Sequence, residues 1–91
     1  MKIVHVEISG RVQGVGFRWF VRENARALKL RGWVKNRPDG AVEVAAAGDP
    51  SAVRKFQFAL VKGPEGSRVE KVRDLDVVDA DSLDEPFTIV R

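Results

Sequence analysis

Cysteine is absent from this chain of 91 residues. Its absence excludes disulfides, thiolate zinc sites and a cysteine nucleophile, and it suits a reducing compartment. Long apolar runs are absent too. No segment reaches the roughly 20 apolar residues that span a membrane. The opening MKIVHVEISG alternates apolar and polar residues, where a secretory signal would carry a continuous apolar run of about 7–15 residues. A cytoplasmic protein with no membrane partner is expected. Histidine occurs once, as His5. The carboxylates show no metal-ligand spacing, and neither a metal nor a cofactor is expected.

The 91 residues fit one domain, 1–91, with no room for a second. A chain this short buries only about 60% of the surface its unfolded form exposes. Its 44% hydrophobic content must therefore form one economical core. The net charge of +3 hides an asymmetry. Residues 1–40 carry nine Lys/Arg against three Asp/Glu, and the span Asp74–Glu85 has six acids and no base. A general nucleic-acid binder is usually basic along a whole face. One basic half points instead to a small anion.

Hydrophobic periodicity divides the chain into six main elements. Residues 4–9 alternate as a half-buried strand, with Val4, Val6 and Ile8 inward and His5, Glu7 and Ser9 outward. His5 is taken as an exposed strand residue. Residues 17–30 change to helical spacing, with Phe17, Phe20, Val21, Ala25 and Leu28 on one stripe. Gly32 is the expected left-handed stop. Trp33–Arg37 and Ala41–Ala46 read as a hairpin around Pro38-Asp39-Gly40. Asp49 and Pro50 open a second helix, buried through Val53, Phe56 and Leu60 and ended at Gly63. Val69–Val78 reads as a fourth strand, and Pro86–Val90 as a short edge strand. The order β-α-β-β-α-β predicts an α+β, ferredoxin-like sandwich, an antiparallel sheet with two helices on one face.

Two segments carry candidate chemistry. Gly10-Arg-Val-Gln-Gly-Val-Gly-Phe-Arg18 joins a strand to a helix start, where free N–H groups and the helix dipole attract phosphate. Gly14 and Gly16 can turn successive N–H groups into a concave anion nest. A glycine-rich turn alone does not establish this, and no Gly-Lys-Ser/Thr of a Walker loop follows. Arg18 favours a site. A cation in the first turn of a helix is unfavourable by about 0.3–1 kcal/mol, and a bound anion reverses that sign. Arg22, Arg26 and Lys29 read instead as a solvated stripe. In the second segment, Gly32–Gly40, Asn36 occupies a strand position on the core side, where an unsatisfied amide costs about 1–3 kcal/mol. Spacing alone leaves it either tying down the hairpin backbone or orienting a water.

With these two motifs at this spacing, the chain resembles the acylphosphatases over essentially its whole length. Gly10–Arg18 is similar to that family's phosphate-binding signature, and Gly32–Val42 to its second signature. Gly16 stands where some members carry an aromatic residue. The resemblance implies that Arg18 binds the phosphoryl group beside the backbone N–H groups of Gln13, Gly14, Val15, Gly16, Phe17 and Arg18. It implies likewise that Asn36 orients the attacking water. Neither motif holds a Cys, His or Ser placed for attack, and Ser9 has no base in its segment. Such a spare site suits an acyl phosphate, whose carboxylate leaving group has a conjugate acid of pKa about 4 and needs no proton. A phosphate ester needs an acid or a metal. The expected partners are a small acyl phosphate and inorganic phosphate, acting on a monomer. Two alternatives remain: a non-catalytic or carbamoyl-phosphate-processing acylphosphatase-like domain, and a small RNA-binding module. The second is weakened because Ala41–Ala46 carries no aromatic residue for base stacking.

Overall fold

The computed structural model describes all of residues 1–91. Its elements are β1 (Lys2–Arg11), α1 (Phe17–Ala27), β2 (Arg31–Asn36), β3 (Val42–Gly48), α2 (Pro50–Lys62), β4 (Arg68–Asp74) and β5 (Thr88–Val90). They form one five-stranded sheet in the order β4-β1-β3-β2-β5. The four long strands pair antiparallel, as expected. The fifth differs: β5 runs parallel to β2, pairing Trp33 with Thr88 and Lys35 with Val90, so the sheet is mixed.

Both helices cover one face. Val4, Val6 and Ile8 of β1, Val34 of β2, and Val42, Val44 and Ala46 of β3 point into it. Phe17, Val21 and Ala25 of α1 and Val53, Phe56 and Leu60 of α2 pack onto them. The alternation in β1 and the helical stripes thus bury the residues they predicted, except that Phe20 and Leu28 of the first stripe are only half-buried. The other face is not simply solvated. After Asp74 the chain leaves the sheet, where Leu75 N–H donates to the His5 carbonyl at 2.8 Å. It then crosses the outer face of β3, laying Leu83, Val78 and Ala80 against Ala45, Ala47 and Trp33. For this reason β4 ends at Asp74 rather than continuing to Val78. It also explains why β3 is buried on both faces from Val42 to Ala47.

The first helix is shorter than its periodicity suggested. It ends at Ala27, and the left-handed turn is made by Lys29 (φ 57°), which drops Leu30 into the core. Gly32 serves β2 instead: a Cβ there would lie 1.9 Å from the Ala45 carbonyl oxygen, so it permits the close approach of β3. The second helix starts as expected. The Asp49 carboxylate accepts from Ser51 N–H at 3.1 Å, and Pro50 follows. No helix is long and apolar enough to cross a membrane.

Phe87 was not among the expected core residues. It is fully buried and meets Phe56 edge-on, with ring centroids 6.0 Å apart. Its carbonyl accepts from Arg26 Nε at 2.8 Å, while Arg26 itself stays exposed, as read. Phe87 thus anchors β5 to both helices. Phe87→Ala is expected to cost about 3–5 kcal/mol in urea unfolding. Phe58→Ala, at a site 78% exposed, should stay within about 0.5 kcal/mol. Equal losses in the two variants would contradict this placement of the core.

Candidate functional site

The strand-to-helix loop after β1 is built to leave backbone donors free. Gly14 and Gly16 both adopt φ 76°, the left-handed region that suits glycine, and a Cβ at either would meet nothing within 4 Å. Conformation rather than space therefore calls for glycine at both. The two reversals turn the loop on itself around Val15, whose side chain packs against the core. The first backbone donor of α1 is Phe20, to the Gly16 carbonyl at 3.0 Å. The N–H groups of Gln13, Gly14, Val15 and Gly16 donate to no group in the protein.

This helix start also lacks the usual compensation. Gly16 offers no capping side chain, and no acid stands in the first turn. The other two helical segments are capped by aspartates, α2 by Asp49 and the 3-10 turn Ala80–Ser82 by Asp79. Arg18 occupies that uncompensated first turn and joins no ion pair.

The loop, the start of α1 and the ends of β2 and β5 enclose a concavity of about 190 Å³. That is below the roughly 300 Å³ of the smallest drug-sized pockets and suits a small anion. Gln13, Gly14, Gly16, Phe17, Arg18 and Asn36 line it; of the residues marked in the sequence, Val15 alone does not. The Asn36 Oδ1 is buried without a hydrogen-bond partner. The hairpin is tied down instead by Gln13, whose Nε2 donates to the Arg37 and Ala41 carbonyls, each at 2.9 Å.

Sequence reasoning missed Trp19, Ile89 and Arg91, which also line the concavity. Trp19 is 59% exposed, and its position directly after Arg18 was a usable signal. Ile89 and Arg91 reach the site through the parallel pairing of β5 with β2, which no local pattern announces. No group of three His, Asp or Glu side chains comes together as a metal holder.

Behind the hairpin, on the outer face of the sheet, charges interlock. Glu43 sits 2.7 Å from His5 Nε2 and 3.1 Å from Arg37 Nη1, and Glu7 lies 3.1 Å from Arg37 Nε and 3.0 Å from Arg73 Nη2. His5 Nδ1 donates to the Asp76 carbonyl at 2.6 Å. His5 is on the outer face, as expected, but it is not an exposed strand residue: its side chain is only 13% exposed, covered by these partners and by the edge of Trp33. Asp39 makes the hairpin turn by accepting from Ala41 N–H at 3.0 Å. The network thus braces the strand end that carries Asn36.

The chain matches the Acylphosphatase family over residues 4–89. It is 46% identical over 90 residues to the acylphosphatase of Salinibacter ruber, covering 99% of this chain and 94% of that one. Its fold superposes on the crystal structure of acylphosphatase from Bacillus subtilis with a TM-score of 0.91 at 40% identity, covering each chain completely. It also superposes on T. kodakarensis HypF, with a TM-score of 0.84 at 32% identity, covering all of this chain but 12% of that one.

Burial alone would push the Glu43 carboxyl up, but the His5 hydrogen bond, the Lys35 charge and the Arg37 hydrogen bond outweigh it and hold it below the ordinary glutamate value. A carboxyl lowered on folding contributes stability above its unfolded value of about 4.3, and loses it as pH falls through the lower folded value. Glu43→Gln should therefore flatten the fall in unfolding free energy between about pH 5 and pH 3. Parallel pH–stability curves for the two proteins would contradict the network's role.

Proposed function

The chain belongs to the acylphosphatase family and is an enzyme of that kind, and we propose that it hydrolyses acyl phosphates by holding the phosphoryl group in the loop after β1 and directing a water at it from Asn36. The observation that carries this reading is a contrast between helix starts. The start of α1 has neither cap nor acid, yet it bears Arg18 and borders a concavity also lined by Asn36, whose Oδ1 is buried without a hydrogen-bond partner.

A phosphoryl group in the nest supplies the missing negative charge. The N–H groups of residues 13–18 and the helix dipole point at its oxygens. The Arg18 guanidinium can grip two of those oxygens at once. Asn36 accepts from a water through Oδ1 and aims the water oxygen at phosphorus, opposite the acyl oxygen. As the new P–O bond forms, the P–O bond to the acyl group breaks. The electron pair leaves with the carboxylate, whose low basicity dispenses with a general acid. The water's protons stay with the phosphate product, so a dianionic acyl phosphate and water yield a carboxylate and dihydrogen phosphate. Positioning and charge stabilisation carry the catalysis, as in phosphoryl transfer generally. Every group comes from one chain, so the mechanism needs no second copy.

The test is a pair of variants assayed on benzoyl phosphate with excess chelator. Arg18→Ala should lose phosphate affinity and about 10²–10³-fold or more in kcat. Arg18→Lys should not restore it, because an ammonium lacks the planar two-point grip. Asn36→Ala should lose most turnover while inorganic phosphate still inhibits competitively with a nearly unchanged constant. Full turnover in Asn36→Ala, or loss of phosphate inhibition as severe as in Arg18→Ala, would overturn the division of roles.

A further inference from the structure

The Gln13 amide spends both of its protons on backbone carbonyls of the hairpin, although Gln13 also lines the concavity. One bond goes to the Arg37 carbonyl and one to the Ala41 carbonyl, each at 2.9 Å. Arg37 directly follows Asn36, and Ala41 directly precedes Val42, the residue paired with Asn36 across the hairpin. The same two hairpin residues are joined by Arg37 N–H donating to the Ala41 carbonyl at 2.8 Å. Gln13 thus clasps the hairpin on both strands, one residue beyond the Asn36 pair. No other hydrogen bond joins residues 12–16 to the hairpin.

We propose that Gln13 is a positioning residue: its side-chain amide fixes the span between the anion-holding loop and Asn36, and so sets where the attacking water stands relative to phosphorus. This rests on the reading of Asn36 as the water-orienting group. The loop and β2 are separated in sequence by the whole of α1, so small shifts of that helix would change the span if nothing bridged it directly. In-line attack tolerates little such error, since a misplacement of about 1 Å can cost on the order of 10²-fold in rate. An amide suits the task because it presents two donors in a fixed plane and carries no charge that would compete with Arg18 for the phosphate.

The test is a double-mutant cycle. Gln13→Met keeps the bulk of the side chain and removes both bonds. It should lower kcat on benzoyl phosphate by about 10–100-fold while the inhibition constant for inorganic phosphate changes less than about threefold. In the Asn36→Ala background, where no water is oriented, Gln13→Met should have almost no further effect on kcat. In the Arg18→Ala background it should keep its full factor. If Gln13→Met does not fold, Gln13→Asn, one methylene too short to reach both carbonyls, takes its place in the cycle. Thermal melts confirm that the variants compared are folded. Equal factors in the wild-type and Asn36→Ala backgrounds would overturn the proposal, as would phosphate inhibition weakened in step with kcat. Full turnover in Asn36→Ala alone is a different failure, one that removes the Asn36 reading itself.

Discussion

An unsatisfied helix start governs this molecule. Backbone N–H groups at the beginning of a helix need an acceptor, and this fold supplies one at α2 and withholds it at α1. The loop before α1 reverses twice through left-handed glycines and leaves the N–H groups of Gln13, Gly14, Val15 and Gly16 without acceptors beside the concavity. Arg18 then adds a cation at the positive end of the dipole, where it opposes folding by a few tenths of a kcal/mol to about 1 kcal/mol. An anion bound at such a helix start would offset that cost.

The remainder of the structure keeps that helix start facing Asn36. The central strand β3 is buried on both faces, between the helices and the crossing segment after Asp74, so β2 and its hairpin have a rigid neighbour. The outer ion-pair network and the Asp39 turn fix the hairpin from behind, and the Gln13 amide spans it from the front. The parallel strand β5, held by Phe87 and Arg26, closes the fourth side. For a domain this small, such economy follows from having one core and no covalent staple.

Most of this architecture was legible where the signal is local. Alternation in β1, the stripes of both helices and the Asp49-Pro50 start depend on neighbours in sequence, and they appear as read, save that α1 stops at Ala27 before Leu28. The left-handed turns at Gly14 and Gly16 and the place of Arg18 in the first turn of α1 were legible for the same reason. The direction of β5, the burial of Phe87, the covering of His5 and the roles of Ile89 and Arg91 at the concavity depend on where the chain returns after Asp74. That return is set by packing across the sheet, which no periodicity encodes. Lys29 shows a subtler limit. Glycine is the default left-handed residue, yet here the strand needed Gly32 for close contact, and a lysine took the turn. Asn36 was ambiguous because two amides border one hairpin, and sequence cannot tell which of them holds the backbone.

The central claim is that unpaired backbone donors between Gln13 and Arg18 hold the phosphoryl group. Amide NMR of the full chain, titrated with inorganic phosphate, tests it directly. The account predicts saturable shifts that are largest for the N–H signals of residues 14–18, with smaller changes at Asn36 and none along the outer-face network of Glu7 and Glu43. Shifts that leave the loop unmoved and cluster elsewhere on the surface would contradict it.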